Sequence, residues 1–174
     1  LDAGADGVLV PHVSDRATAE AVVTASRFPP LGERGANPWV AAGEFGSDPT
    51  FFATANDRTA VVAMVEGREG VERLDELVSV RGISGVFVGP VDLSSSVGVP
   101  GQTDNPDVVR LAGEVIRRAH EAGIGAAVFA PDPAAARRWF GAGARLVALG
   151  VDVGHALRGL TAACDEVRAA GLGG

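Results

Sequence analysis

The feature that most constrains the fold of this chain is a regular alternation of short apolar runs with amphipathic segments. Each run is almost continuously hydrophobic, which is typical of strands covered on both faces of a parallel sheet. The five runs are Gly7–Val13, Ala60–Glu66, Gly85–Gly89, Ile124–Ala130 and Arg145–Val151. Because parallel strands are joined by right-handed crossovers, usually through a helix, the alternation predicts an α/β fold of five strand–helix units.

Capping residues indicate where the helices begin. Ser14-Asp15 is expected to cap a helix that runs to about Arg27, and Asp152 is expected to cap the last helix. At three other places a polar cap precedes a proline, which is favoured in the first helical turn. These places are Ser47-Asp48-Pro49, Asp104-Asn105-Pro106 and Asp132-Pro133.

Apolar residues at helical spacing predict which helix faces are buried. One stripe, within a helix predicted over Glu69–Val80, contains Val71, Leu74, Leu77 and Val78. A second stripe runs from Val108 to Ala119, and Gly123 ends that helix. A last helix, about Val153–Ala170, is predicted to bury Leu157, Leu160, Cys164 and Val167.

Two architectures accommodate five such units. One is an open doubly wound sheet, and the other is part of a (β/α)₈ barrel, which typically needs about 250 residues. No G-x-G-x-x-G motif opens the first helix, so the dinucleotide-binding version of the open sheet has no local support. The sequence shows no linker, repeat or low-complexity tract, and residues 1–174 are predicted to form a single domain.

Composition excludes several classes of function. The net charge of −7 disfavours nucleic acid or an anionic membrane as a partner, and no apolar run approaches the roughly 18 residues of a membrane-spanning helix. A single cysteine, Cys164, excludes an internal disulfide and a cysteine-only metal cluster. A cytoplasmic location is therefore expected. All fifteen basic residues are arginine, so no lysine of this chain can form a Schiff base.

Two carboxylates follow neighbouring predicted strands. Glu66 ends the second apolar run, and Asp92 follows the third. Ligands of parallel α/β folds bind beyond the carboxyl ends of the strands, so the two side chains are expected to converge at one edge of the sheet. Like charges that are close repel unless a cation lies between them, and carboxylate oxygens suit Mg²⁺ or Mn²⁺. The alternative is that each carboxylate caps the helix that follows it.

The order of several sequence blocks resembles the HpcH/HpaI aldolase family of class II, metal-dependent aldolases. The blocks are Leu1–Pro11 (LDAGADGVLVP), Phe28–Gly35 (FPPLGERG), Val65–Glu69 (VEGRE), Gly85–Ser94 (GVFVGPVDLS) and Leu149–Asp152 (LGVD). The resemblance implies a TIM barrel of the phosphoenolpyruvate/pyruvate type, of which this chain supplies the C-terminal five strand–helix units. It leaves two explanations, a C-terminal portion of a longer protein or a genuinely short relative.

The resemblance also implies roles for particular residues. Glu66 and Asp92 correspond to the ligands of a divalent metal (Mg²⁺, Mn²⁺ or Co²⁺), and the backbone of Gly89-Pro90-Val91 corresponds to the segment that lies against pyruvate. Asp2 corresponds to the aspartate of a catalytic His–Asp pair, whose histidine lies upstream of this chain, as does a substrate-binding arginine. The implied reaction is the reversible cleavage of 4-hydroxy-2-oxo acids to pyruvate and an aldehyde.

Two further residues are candidates for substrate binding. His12 ends the first strand, where it could assist proton transfer or bind the aldehyde, or instead support a neighbouring residue. Arg34 belongs to the Pro/Gly-rich segment Phe28–Gly46, which is longer than a routine βα loop. Arg34 could contact an anionic substrate at the barrel mouth or could fix this loop to a neighbouring element.

Other functions and the assembly state stay open at this point. A lyase similar to the citrate lyase β subunit or to malyl-CoA lyases would use similar carboxylates, and a catalytically silent barrel fragment would serve only in assembly. Members of the family assemble as hexamers in which the C-terminal helix exchanges between neighbours. The resemblance therefore implies a homo-oligomer, which the apolar stripe of the last helix fits.

Overall fold

The computed structural model describes residues 1–171 of the chain. Within that range the elements follow one another in the order β1 (Gly7–Val10), α1 (Arg16–Ser26), α2 (Phe51–Arg58), β2 (Ala60–Val65), α3 (Arg68–Glu72), α4 (Leu74–Val78), β3 (Gly85–Val88), α5 (Pro90–Ser96), α6 (Pro106–Glu121), β4 (Gly125–Ala130), α7 (Pro133–Gly141), β5 (Leu146–Leu149) and α8 (Asp152–Ala169). All five predicted strands are present, each shorter than its apolar run. A 3₁₀ segment, Ala41–Gly46, lies in the long connection between α1 and α2.

The order of the strands decides between the two predicted architectures. The five strands are parallel and lie in the order β1-β2-β3-β4-β5, with no reversal. A doubly wound sheet reverses its strand order at a switch point and carries helices on both faces, so the open-sheet alternative is wrong. Successive right-handed crossovers in one direction place the helices on one face, which is the arrangement of a barrel wall. The chain therefore forms a curled, partial α/β barrel.

The hydrophobic core lies between the sheet and the helices. On β2, Val61, Ala63 and Val65 are fully buried, whereas the alternate residues, including Val62 and Met64, are half-buried. The fully buried set packs with residues of the surrounding helices, among them Leu74, Leu77, Leu93, Val115 and Ile116. Burial of one such side chain contributes about 1.5–3 kcal/mol, so this layer is the main source of stability.

Burial on both faces is confirmed for β3 only, all of whose residues are buried. The prediction is wrong for β1 and β5, because these two strands form the edges of the sheet and each has only one neighbouring strand. Side chains alternate along a strand, so the face of β2 that carries Met64 also carries the residue after the strand, Glu66. The less covered face of β2 is therefore the one that carries Glu66 of the predicted site.

Three predicted helix caps are confirmed. The side chains of Asp15, Asn105 and Asp132 accept hydrogen bonds from backbone N–H groups of the helices that they precede. For Asp15 the N–H of Thr18 is the main cause of a carboxyl pKa below its ordinary value. The cap predicted at Asp48 is displaced, because α2 begins only at Phe51. Asp48 instead accepts hydrogen bonds from the side chain and backbone of Thr50, which lower its pKa.

Other helix predictions are corrected by the structure. The helix predicted over Glu69–Val80 is interrupted at Arg73, which separates α3 from α4, although its apolar stripe is buried. The side chain of Asp152 does not cap α8, because Val151 is the N-cap and Asp152 is the first helical residue.

The predicted burial of the last helix is also wrong. Leu157, Leu160 and Val167 are more than half exposed, Cys164 is exposed, and no described residue of α8 is buried. The spacing of these residues gives α8 an apolar face, but spacing carries no information about what covers that face. Among residues 1–171, no helix is both long and apolar enough to cross a membrane.

Candidate functional site

Glu66 and Asp92 converge at the edge of the sheet where the strands end. Val65 of β2 pairs with Val88 of β3, so the residues that follow these strands leave the sheet side by side. Both carboxylates line a cleft of about 340 Å³ and an adjoining cleft of about 250 Å³. Glu66 is 7 % exposed, whereas Asp92 is exposed. The predicted convergence of the two carboxylates is therefore present in the structure.

Neither carboxylate caps a helix. The N-cap of α3 is Gly67 and that of α5 is Gly89, and no side chain caps either helix. Glu66 precedes the cap of α3, and Asp92 lies inside the first turn of α5. The alternative interpretation of this pair as two helix caps is therefore wrong, and the two negative charges are left facing shared clefts.

One oxygen of the Glu66 carboxylate is held by His12, which lies two residues beyond β1. The backbone N–H of His12 donates to Glu66 Oε1 at 2.8 Å, and His12 Nδ1 lies 3.0 Å from the same oxygen. His12 has φ +55°, a left-handed conformation that is uncommon for a residue other than glycine. In this conformation the N–H and Nδ1 of His12 both approach the carboxylate, while 83 % of the side chain remains exposed.

The second oxygen of Glu66 faces the segment after β3. A Cβ atom added to Gly89 would lie 3.1 Å from Glu66 Cβ and 3.2 Å from Oε2. Within residues 1–171, the hydrogen bonds to this carboxylate go to Oε1, so Oε2 is left to the cleft. Gly89, Pro90 and Val91 line the smaller cleft together with Met64, Phe87 and Phe129.

Arg34 and Asp2 pair with each other away from this cleft. Arg34 Nη2 lies 2.6 Å from Asp2 Oδ1, and the guanidinium lies 4.5 Å from the ring centroid of Phe28. The Arg34 side chain is 9 % exposed, and neither Arg34 nor Asp2 lines the clefts that Glu66 and Asp92 share. This geometry favours the interpretation that Arg34 fixes the long loop. Asp2 precedes β1, so it lies before the strand and not at its carboxyl end.

Sequence reasoning did not identify all residues of the site. Met64, Phe87 and Phe129 form an apolar wall beside the carboxylates. The two-residue spacing of Met64 and Glu66 is a sequence signal that they share a face. By contrast, nothing in the sequence indicates that His12 adopts a left-handed conformation or that its N–H reaches Glu66.

The fold and the site together define a class of protein. Parallel strands in consecutive order, with helices on one face and a cleft beyond the strand ends, are the attributes of an α/β barrel that carries its functional site at the C-terminal edge. The chain belongs to the HpcH/HpaI aldolase/citrate lyase family, whose sequence model matches residues 1–159.

Similar proteins agree with this assignment. The 2-keto-3-deoxy-L-rhamnonate aldolase of Klebsiella pneumoniae is 44 % identical over 153 residues, which cover 87 % of this chain and 57 % of the relative. An HpcH/HpaI aldolase/citrate lyase family protein of Burkholderia cenocepacia superposes with a TM-score of 0.92 at 36 % identity, over 96 % of this chain and 66 % of that one. The HpcH/HpaI aldolase of Desulfitobacterium hafniense gives a TM-score of 0.82 at 31 % identity, over 94 % and 64 %. The chain thus spans a little over half the length of the curated relatives that it matches.

Proposed function

We propose that this chain is part of a divalent-metal-dependent class II aldolase that cleaves 4-hydroxy-2-oxo acids to pyruvate and an aldehyde. The observation that carries the proposal is the pairing of Glu66 with Asp92 in clefts at the carboxyl ends of β2 and β3, where neither carboxylate caps a helix. The aldolase names of the curated relatives support the reaction type.

The donor chemistry of the site fits a hard divalent cation. Glu66 Oε2 accepts no hydrogen bond from the described residues, and within residues 1–171 the Asp92 carboxylate takes part in no hydrogen bond or ion pair. These two carboxylates would hold Mg²⁺, Mn²⁺ or Co²⁺ and would leave other coordination positions to water and substrate. When bound, such a cation acts as a Lewis acid on the carbonyl group of a 2-oxo acid. The absence of lysine from this chain agrees with a route that needs no Schiff base of its own.

The residues around the carboxylates would bind and orient the 2-oxo acid. Gly89, Pro90 and Val91 offer a backbone surface beside Glu66, because Gly89 has no side chain to fill the space next to Oε2. Phe87 and Phe129 give the same cleft an apolar wall that excludes water. Two roles stay predictions: that Asp2 orients a catalytic histidine, and that Arg34 contacts the substrate.

The test is an assay of pyruvate release by the whole protein. Purified protein stripped of metal is expected to release pyruvate from a 4-hydroxy-2-oxo acid only after Mg²⁺, Mn²⁺ or Co²⁺ is added. Glu66→Gln is expected to abolish this activity, whereas Glu72→Gln, an exposed glutamate on α3, leaves it unchanged. Failure of the whole protein to release pyruvate with any of the three metals refutes the proposal.

The same assay distinguishes the alternatives. A lyase of the citrate lyase β or malyl-CoA type would cleave CoA esters and leave 4-hydroxy-2-oxo acids intact. A catalytically silent protein would cleave neither substrate. CoA carries several phosphate charges and the free acid only its carboxylate, so the net charge of −7 of this chain disfavours CoA more strongly and favours the free acid as the substrate.

The exposed face of α8 supports a homo-oligomer, for which a hexamer is the expected form. Val153, Leu157, Leu160 and Val167 are 52–71 % exposed and recur at helical spacing. A continuous apolar face of this kind is typical of a helix that packs against another chain. Leu160→Glu is expected to lower the molar mass of the whole protein in light scattering. An unchanged mass contradicts this role for α8.

A further inference from the structure

The contact between His12 and Glu66 joins two connections that are distant in sequence. His12 follows β1 and Glu66 follows β2, and the two strands are paired in the sheet. Both the backbone N–H and the imidazole Nδ1 of His12 approach Oε1, at 2.8 and 3.0 Å. Oε2 receives no such contact from the described residues and lies on the side of Gly89. The two oxygens of one carboxylate are therefore in different environments.

The residue that contacts only one of the two Glu66 oxygens, His12, has an unusual backbone conformation. A non-glycine residue at φ +55° is held there by its surroundings, and such residues cluster at functional sites. Here the residue in this conformation donates its N–H to a carboxylate that is 7 % exposed. The backbone geometry thus points to a role for His12 in fixing Glu66.

We propose that His12 is a positioning residue that occupies Oε1 of Glu66 and so leaves Oε2 as the oxygen that binds the cation. With Oε1 engaged, Glu66 provides a single oxygen, and the remaining positions around the cation stay free for Asp92, water and a chelating 2-oxo acid. Residues that hold a metal ligand through hydrogen bonds typically change metal affinity 10- to 100-fold when they are replaced. This inference rests on the proposed metal site.

Three variants distinguish the contribution of the His12 imidazole from that of its backbone N–H. His12→Gly keeps the N–H and tolerates the left-handed conformation but removes the imidazole. His12→Asn also tolerates this conformation and replaces the ring with an amide donor. His12→Val disfavours the conformation because its side chain is β-branched. His120→Asn, at an exposed position late in α6, is the matched control.

Mn²⁺ affinity of the whole protein is measured by calorimetry. We expect the dissociation constant to rise about 10-fold for His12→Gly and about 100-fold for His12→Val, and to stay within about 3-fold of the unsubstituted value for His12→Asn and the control. We also expect saturating Mn²⁺ to restore kcat of His12→Gly, which a general loss of folding would not allow. Unsubstituted affinity in either His12→Gly or His12→Val overturns the proposal.

A measurement on metal-free protein keeps this inference distinct from the proposed function. Glu66→Gln is expected to shift the amide proton resonance of His12 upfield, because a charged acceptor is replaced by a neutral one. If the unsubstituted protein binds no Mn²⁺ but this shift is present, the metal site is refuted and the hydrogen bond is not. If Mn²⁺ binds normally and the shift is absent, the positioning role of His12 is refuted alone.

Discussion

Gly89→Ala tests the geometry of the proposed cation site with the addition of one methyl group. The new Cβ would lie 3.1 Å from Glu66 Cβ, 3.2 Å from Glu66 Oε2 and 3.8 Å from Met64 Sδ. Gly89 has φ −97° and ψ 89°, so alanine at this position avoids the strain of a left-handed conformation. The effect of the substitution therefore comes from crowding of Glu66 and not from the backbone.

The expected magnitude follows from these distances. Carbon atoms pack at about 3.5–4.0 Å, so Glu66 Cβ must move by at least about 0.4 Å. Metal–oxygen distances vary by only about 0.2 Å in well-formed sites, so this displacement exceeds what the site tolerates. We expect Mn²⁺ affinity to fall about 10- to 100-fold, which corresponds to about 1.4–2.8 kcal/mol.

Calorimetric titration of the whole protein with Mn²⁺ measures this change. Gly67→Ala is the control, because a Cβ added at Gly67 meets no atom within 4 Å outside its two chain neighbours, Glu66 and Arg68. Urea denaturation of both variants checks that any loss of affinity is not a loss of folding. Unchanged Mn²⁺ affinity in Gly89→Ala, together with an unmoved Glu66 in its crystal structure, would refute the placement of the cation beside Oε2.

Three further predictions concern the fold. Asp132→Ala is expected to lower the free energy of unfolding by about 1 kcal/mol in urea denaturation, because Asp132 Oδ1 accepts hydrogen bonds from two N–H groups of α7. Asp132→Asn should retain most of this stability, since its side-chain oxygen can accept the same bonds. Equal losses in the two variants would contradict the capping role. Leu74→Ala should lower the free energy of unfolding by about 2–5 kcal/mol, because Leu74 is fully buried. Leu157→Ala should lower it much less in this chain alone, because Leu157 is 66 % exposed. Similar losses in the two variants would contradict the assigned core. The pKa of Asp15 is below its ordinary 3.8 in the folded chain because Thr18 donates hydrogen bonds to the carboxylate. The ionised carboxylate therefore stabilises the fold above pH 3.8, and this contribution is lost as the pH falls through the lowered pKa. A carboxyl titration by NMR that gives an ordinary pKa for Asp15 would contradict this prediction.

Local sequence patterns were sufficient for much of the structure. The five strands were predicted because buried parallel strands are almost continuously apolar, and the caps at Asp15, Asn105 and Asp132 because cap chemistry depends on a few neighbouring residues. The convergence of Glu66 and Asp92 was also predicted, since the carboxyl ends of adjacent parallel strands share one edge of the sheet. Each of these inferences needs only residues that are close in sequence or a general rule of parallel sheets.

The tertiary structure decided the remaining features, because they depend on which segments meet in space. The same five units could have formed a sheet with reversed strand order, and only the pairing of the strands excludes it. The apolar spacing of α8 predicted a buried face, yet that face is exposed because burial depends on the partner and not on the pattern. His12 adopts a left-handed backbone conformation, which is uncommon for residues other than glycine. Its contact with Glu66, 54 residues away, exists only because β1 and β2 pair and bring their ends together.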